Sequence, residues 1–191
     1  LFNEQPLSAQ QEDQLVSYTK VAAAHYPPLP ESNTAVDENT LKVAYFSADF
    51  RRHSCSFFAL PLIANHSTKV EVFCFSLTAP EDEVTQQFKE ACSNFYTCTG
   101  MTPDEITHFI RSKNIHILID LMGHTSSQYL EVLMRRAAPV QISYLGFAQK
   151  TYVPTIDYRI VDQTTDPTNK TTAKGEKLLY MPNSFLCFQN I

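Results

Sequence analysis

Short apolar runs alternate with amphipathic stretches along most of the chain, and that alternation predicts a parallel α/β sheet. The runs 41–47 (LKVAYFS), 70–76 (VEVFCFS), 115–121 (IHILIDL), 140–145 (VQISYL), 158–161 (YRIV) and 177–181 (KLLYM) read as strands, with a short one at 95–98. Helical stretches fall between them at about 54–66 and 83–92. A third starts at Thr102-Pro103-Asp104-Glu105, where cap, proline and returning acid coincide and Ile106, Phe109 and Ile110 supply the apolar face. After a turn at Gly123, Tyr129, Val132 and Leu133 mark a further helix, with Arg135-Arg136 in its last turn, where cations suit the dipole. Strands this apolar, separated by helices, belong in a doubly wound, Rossmann-like sheet covered on both faces.

Residues 8–26 predict a preceding helix, with Ser8 and Gln11 as a capping box and Leu15, Thr19, Ala22 and Tyr26 as its stripe. Pro27-Pro28 ends it, because proline lacks an amide proton and restricts the residue before it. The polar stretch to Thr40 reads as a linker. The expected organisation is therefore a junction helix and linker over 1–40 and one α/β domain over 41–191. A chain starting at Leu1 and stopping at Ile191 is expected to be a fragment.

Charge narrows the classes. A net −5, from 15 basic and 20 acidic residues, disfavours nucleic acid as the main ligand, since phosphate backbones need clustered cations. Five cysteines, scattered and never in Cys-x-x-Cys spacing, fit reduced thiols in a cytoplasm better than a zinc site or a disulfide framework. The longest apolar stretch, Phe57 to Ala64, is well short of the ~18 residues a membrane span requires, and no secretory leader is visible.

Ligands of open parallel sheets bind beyond the carboxyl ends of the strands. The segments following three strands there are Asp49-Phe50-Arg51-Arg52-His53-Ser54, Gly123-His124-Thr125-Ser126-Ser127 and Gly146-Phe147-Ala148-Gln149-Lys150-Thr151, a concentration of histidines and hydroxyls. Only four glycines occur and none form a phosphate-cradling motif, so a self-sufficient dehydrogenase or NTPase is disfavoured. Any phosphates would be held elsewhere or by helix amino-termini near Ser54 and Ser126.

Five segments, in order, resemble the catalytic region of the O-linked N-acetylglucosamine transferase family and its SPINDLY relatives. They are 41–53 (LKVAYFSADFRRH), 116–125 (HILIDLMGHT), 138–146 (APVQISYLG), 157–162 (DYRIVD) and 177–185 (KLLYMPNSF). The resemblance implies the N-terminal lobe of a two-lobed GT-B glycosyltransferase, with tetratricopeptide repeats upstream and a C-terminal lobe that grips most of the donor. Inverting transfer of a sugar from UDP-N-acetylglucosamine or GDP-fucose to protein Ser/Thr hydroxyls is implied, without a metal or other cofactor, in cytoplasm or nucleus. The isolated lobe would be inactive. Matched to the family's cleft positions, His124 is the candidate base or relay and His53 the residue touching donor sugar or acceptor. Thr125, Gly123 and Lys150 are candidate donor- or acceptor-binding residues.

Two departures stand out: Gly146-Phe-Ala-Gln-Lys-Thr151 where the family reads Gly-Tyr-Pro-Gly-Thr, and Arg136-Ala-Ala-Pro where it reads Arg-Pro-Ala-Pro. Gln149 in place of a glycine restricts the backbone and adds bulk at a cleft loop.

Plainer readings compete. His116 reads as a satisfied sheet histidine; His25, His66 and His108 as surface or helix-end residues; Asp49 and Asp120 as helix-start or histidine-orienting carboxylates. Phe57-Phe58 reads as core, Lys150 as an exposed loop lysine and Arg136 as a helix-end or ion-pair residue. At the level of the whole chain, a non-catalytic protein-binding module and an unrelated Rossmann-like nucleotide binder remain as alternatives to an enzyme.

Overall fold

A computed structural model describes residues 7–30, 40–167 and 175–191. The helices are α1 (Ala9–His25), α2 (Ser56–Ala64), α3 (Glu83–Ala91), α4 (Pro103–Ser112) and α5 (Leu130–Met134). The strands are β1 (Leu41–Ser47), β2 (Val70–Ser76), β3 (Asn94–Thr97), β4 (Ile117–Asp120), β5 (Val140–Ser143), β6 (Tyr158–Val161) and β7 (Lys177–Tyr180). All pair in parallel in the order β3-β2-β1-β4-β5-β6-β7. The chain winds outward from β1 in one direction and from β4 in the other, so the order reverses between those two strands.

Strand alternation feeds two cores. Val43 and Tyr45 of β1 face the layer built by Ala59, Leu60 and Ile63 of α2 and Val84 and Phe88 of α3. Ala44 and Phe46 face Ile106 and Ile110 of α4 and Val132 and Leu133 of α5. With both faces covered, strands can be apolar throughout, as the sequence pattern required. The expected doubly wound, Rossmann-like α/β sheet is the observed one.

The capping signals at both read helix starts are present. Ser8 and Gln11 satisfy each other's backbone at α1, as do Thr102 and Glu105 at α4. Helix α1 does not stand apart from the domain. Ala22, Ala23 and Tyr26 pack on its core, and Tyr152 Oη donates to Glu12 at 2.8 Å. Most of the linker expected before β1 lies outside the described residues.

Three local readings are corrected. The segment after β4 is a 3-10 helix over Gly123–Tyr129, broken at Ser126 (φ −131°, ψ 60°), before the five-residue α5. Ser126 therefore begins no helix that could hold a phosphate. Arg135 caps α5 and Arg136 lies beyond it at φ +57°, donating to Thr155 and Pro139 carbonyls and pairing with Asp157. Phe57 and Phe58 are half-buried rather than core, and both pack on the exposed ring of Phe188. Pro61 explains why that C-terminal segment docks there. Lacking an N–H, it leaves the Phe57 carbonyl without its helical partner, and Gln189 N–H donates to it at 2.9 Å. Among the described residues no helix is long and apolar enough to cross a membrane.

Candidate active site

The strand order reverses between β1 and β4, the place where open parallel sheets bind ligands at the strands' carboxyl ends, and each of these two strands is followed by one candidate histidine. His53 follows β1 in the turn leading to α2; His124 follows β4 in the 3-10 segment. Both are half-buried, so both side chains remain reachable.

Around His53 the turn is tied mainly by its backbone. Ser56 Oγ donates to the carbonyls of Asp49 (2.9 Å) and Arg51 (2.6 Å), Arg52 N–H donates to Asp82 Oδ2 (2.7 Å), and Thr85 Oγ1 donates to the Phe50 carbonyl (2.7 Å). The imidazole itself is held less firmly. Its Nδ1 accepts a long bond from Cys55 N–H at 3.3 Å and lies 3.7 Å from Asp49 Oδ2. The first contact favours a bare Nδ1 and the second a protonated one, so they pull the tautomer in opposite directions.

His124 is built in. Asp120, fully buried at the end of β4, accepts the N–H groups of Met122 (3.1 Å) and Gly123 (2.7 Å) and so fixes the turn that follows. Burial pushes its carboxyl up to about 6 even though those two donors oppose the shift. The loop after β5 then closes on the loop after β4. A Cβ on Gly146 would sit 1.7 Å from the Leu121 carbonyl oxygen. One on Gly123, at φ +55°, would sit 2.4 Å from Phe147 Cβ. Only glycines allow the two loops to come this close. Between them the His124 ring meets the Phe147 ring edge-to-face at 5.0 Å, and its Nε2 lies 2.8 Å from the Thr151 carbonyl oxygen.

That last contact has a chemical consequence. A carbonyl oxygen can only accept, so Nε2 carries the proton, and in the neutral ring the lone pair sits on Nδ1. Whenever the ring is neutral, its proton-accepting atom is therefore Nδ1.

The other candidates fall into place unevenly. Thr125 is exposed beside His124 and its hydroxyl donates to the Met122 carbonyl at 2.6 Å, which leaves its oxygen able to accept from a ligand. Gly123 is at the site, but its N–H is committed to Asp120 and its place is set by packing. Lys150 is not the exposed loop lysine expected. It is 8% exposed, its stem packs near Gly175, and burial lowers its ammonium pKa against the opposing charge of Glu176. Buried His116 accepts from Lys42 N–H, as a sheet histidine should, and His66, half-buried just past the end of α2, is joined to Tyr45 Oη at 2.7 Å.

Asp49, His53 and Cys55 bring one oxygen, one nitrogen and one sulfur within 4.8 Å of one another, the one such trio among the described residues. Arg51 stands 3.6 Å from Asp49, Cys55 N–H points at Nδ1, and burial holds the thiol up at about 11. These features suit a hydrogen-bonded turn better than a metal site.

Phe147 and Thr151 lie in the strand-end segment read from the sequence but were given no role of their own there, and Glu176 was not singled out at all. Thr151 contributes a carbonyl, which every residue has, and Glu176 precedes an apolar strand like any solvated acid. Only the position of Phe147, directly after a glycine at a strand end, carried a hint.

The model of Glycosyl transferase family 41 matches residues 6–190 of this chain. "Probable UDP-N-acetylglucosamine--peptide N-acetylglucosaminyltransferase SPINDLY" of Solanum lycopersicum is 34% identical over 161 residues, which are 82% of this chain and 17% of that protein. The corresponding transferase SEC of Arabidopsis thaliana is 32% identical over 147 residues, 76% of this chain and 15% of that protein. The chain thus spans about a sixth of the length of these relatives. The solved O-GlcNAc transferase of Thermobaculum terrenum (mutant K341M) superposes on 97% of this chain and 36% of its own, with a TM-score of 0.87 at 24% identity, a likeness of fold. The family model over nearly the whole chain and relatives at this identity lead to one classification: the chain belongs to glycosyltransferase family 41.

Proposed function

We propose that this chain is the N-terminal Rossmann-like lobe of an inverting protein O-glycosyltransferase that uses UDP-N-acetylglucosamine as donor. The names of the relatives, probable UDP-N-acetylglucosamine–peptide transferases, support this donor. The observation that carries the chemistry is the His124 Nε2–Thr151 contact, because it leaves Nδ1 as a ready proton acceptor. In this reading Nδ1 takes the proton of an acceptor Ser or Thr hydroxyl, directly or through one water. The hydroxyl oxygen bonds to the anomeric carbon as the bond from that carbon to the nucleoside diphosphate breaks on the opposite face, inverting it. His53, held more loosely on the neighbouring strand end, contacts donor sugar or acceptor, and Thr125 offers a hydroxyl on the donor side. A second lobe grips the nucleotide, so the isolated lobe does not turn over. The five free cysteines fit a reducing compartment such as the cytoplasm.

The test is transfer of labelled sugar to lysate proteins by the full-length protein containing this chain, with UDP-N-acetylglucosamine and GDP-fucose in parallel. Transfer from the UDP donor, lost in His124→Ala, is expected. Transfer from GDP-fucose alone would reassign the donor, and no transfer from either would favour a non-catalytic binding module.

A further inference from the structure

Glu176 is 5% exposed, and a carboxylate so buried is costly unless its oxygens are engaged. One of them is engaged twice by a single residue. Thr151 N–H donates to Oε1 at 2.7 Å, and Thr151 Oγ1–H donates to the same oxygen. Thr151 is the residue whose carbonyl receives His124. The next residue, Tyr152, has φ +56°, a left-handed conformation that a bulky side chain adopts at a cost. That rotation sets the plane of the peptide carrying the Thr151 carbonyl. Tyr152 is kept in it from two sides, by its ring against Gly175 (3.3 Å from a Cβ there) and by its hydroxyl on Glu12. Residues from β7's approach, the loop after β5 and α1 thus converge on the direction of one carbonyl group.

We propose that Glu176 is a positioning residue for His124: it clamps Thr151 so that the Thr151 carbonyl holds the imidazole in the Nε2–H tautomer with Nδ1 free. The proposal deepens the function proposed above and rests on it for its catalytic consequence, but not for the clamp itself. An acid needed only to anchor the start of β7 would matter for stability and leave the imidazole tautomer alone. A clamp acts on the tautomer and on turnover together.

Two measurements separate these roles. Ring-nitrogen NMR of this chain reads the His124 tautomer directly, and initial rates of the full-length protein read kcat and KM. Glu176→Gln keeps an acceptor oxygen at the same reach, so the Nε2–H tautomer persists and kcat stays within about 3-fold. Glu176→Asp keeps the charge but withdraws the oxygen by one methylene, and Glu176→Ala removes it. In both, His124 becomes a tautomer mixture and kcat falls roughly 10- to 100-fold with KM within about 2-fold, the scale of a misplaced catalytic group. Should the alanine variant fail to fold, the aspartate variant decides. An unchanged tautomer in Glu176→Asp overturns the clamp. A mixed tautomer with unchanged kcat overturns its catalytic role, and with it the assignment of Nδ1 as the base.

Discussion

The two histidine turns sit on neighbouring strand ends of one sheet, yet they are built to opposite standards. His124 lies between Phe147 and the Thr151 carbonyl, above a turn fixed by a buried carboxylate and packed through two glycines. His53 sits in a turn whose backbone is well tied but whose ring, among the described residues, makes two long polar contacts of opposing sense. A group that must accept a proton along one direction gains from being held still, since small misplacements are expensive at the reacting atoms. One that only touches a ligand can adjust to it. The difference in construction supports the proposed division of roles between the two residues.

The comparison can be broken most forcefully at Gly146. In Gly146→Ala the new Cβ would sit 1.7 Å from the Leu121 carbonyl oxygen, so the β4 and β5 ends must part. A stability loss on the order of 4 kcal/mol is expected in urea melts of this chain, above the common range for overpacking because the clash is with backbone. A loss under about 1 kcal/mol would mean that the two loops are not in close contact.

Asp120 sharpens the contrast through pH. Its folded-state carboxyl, at about 6, lies above the usual 3.8, so the folded chain binds a proton more readily than the unfolded chain between those values. Stability is therefore fully present below about pH 3.8, falls as pH rises towards about 6, and levels off above it. The fall attributable to Asp120 is about 3 kcal/mol. Asp120→Asn removes this slope, which urea melts from pH 4 to 7 would reveal; identical slopes in both proteins would show that the carboxylate is not desolvated.

The histidines themselves give the direct comparison. In the full-length protein, under the proposed function, His124→Ala is expected to cut kcat by about 100-fold or more, the scale of lost acid–base help, whereas His53→Ala costs roughly 10-fold and shows partly in KM. The reverse ranking in initial-rate kinetics would exchange their roles.

The smallest effect is expected at the looser turn. Ser56→Ala deletes the hydroxyl that bonds the Asp49 and Arg51 carbonyls and should cost about 1 kcal/mol of stability, with kcat changed less than about 3-fold. A larger loss of turnover than in His53→Ala would show that the His53 turn is as finely placed as its neighbour.

Much of the fold could be read from the sequence because it rests on consecutive residues. Apolar runs gave seven strands, Ser8/Gln11 and Thr102/Glu105 gave two helix starts, and five motifs in order gave the family. These signals are local, and each survives without knowing what lies across the sheet. The two histidines were visible for the same reason, since a parallel sheet sends every strand end to one edge.

Tertiary structure alone decided what those residues can do. His124 meets a carbonyl 27 residues along the chain, and that residue is held by an acid 25 residues further on, through parallel crossovers that no spacing rule connects. The same crossovers buried Lys150, which composition and loop position had placed in water. Amino-acid pattern determines which face of an element is apolar. The protonated nitrogen of a ring, and whether a charge is solvated, depend on atoms from distant elements that only the folded chain brings within 3 Å.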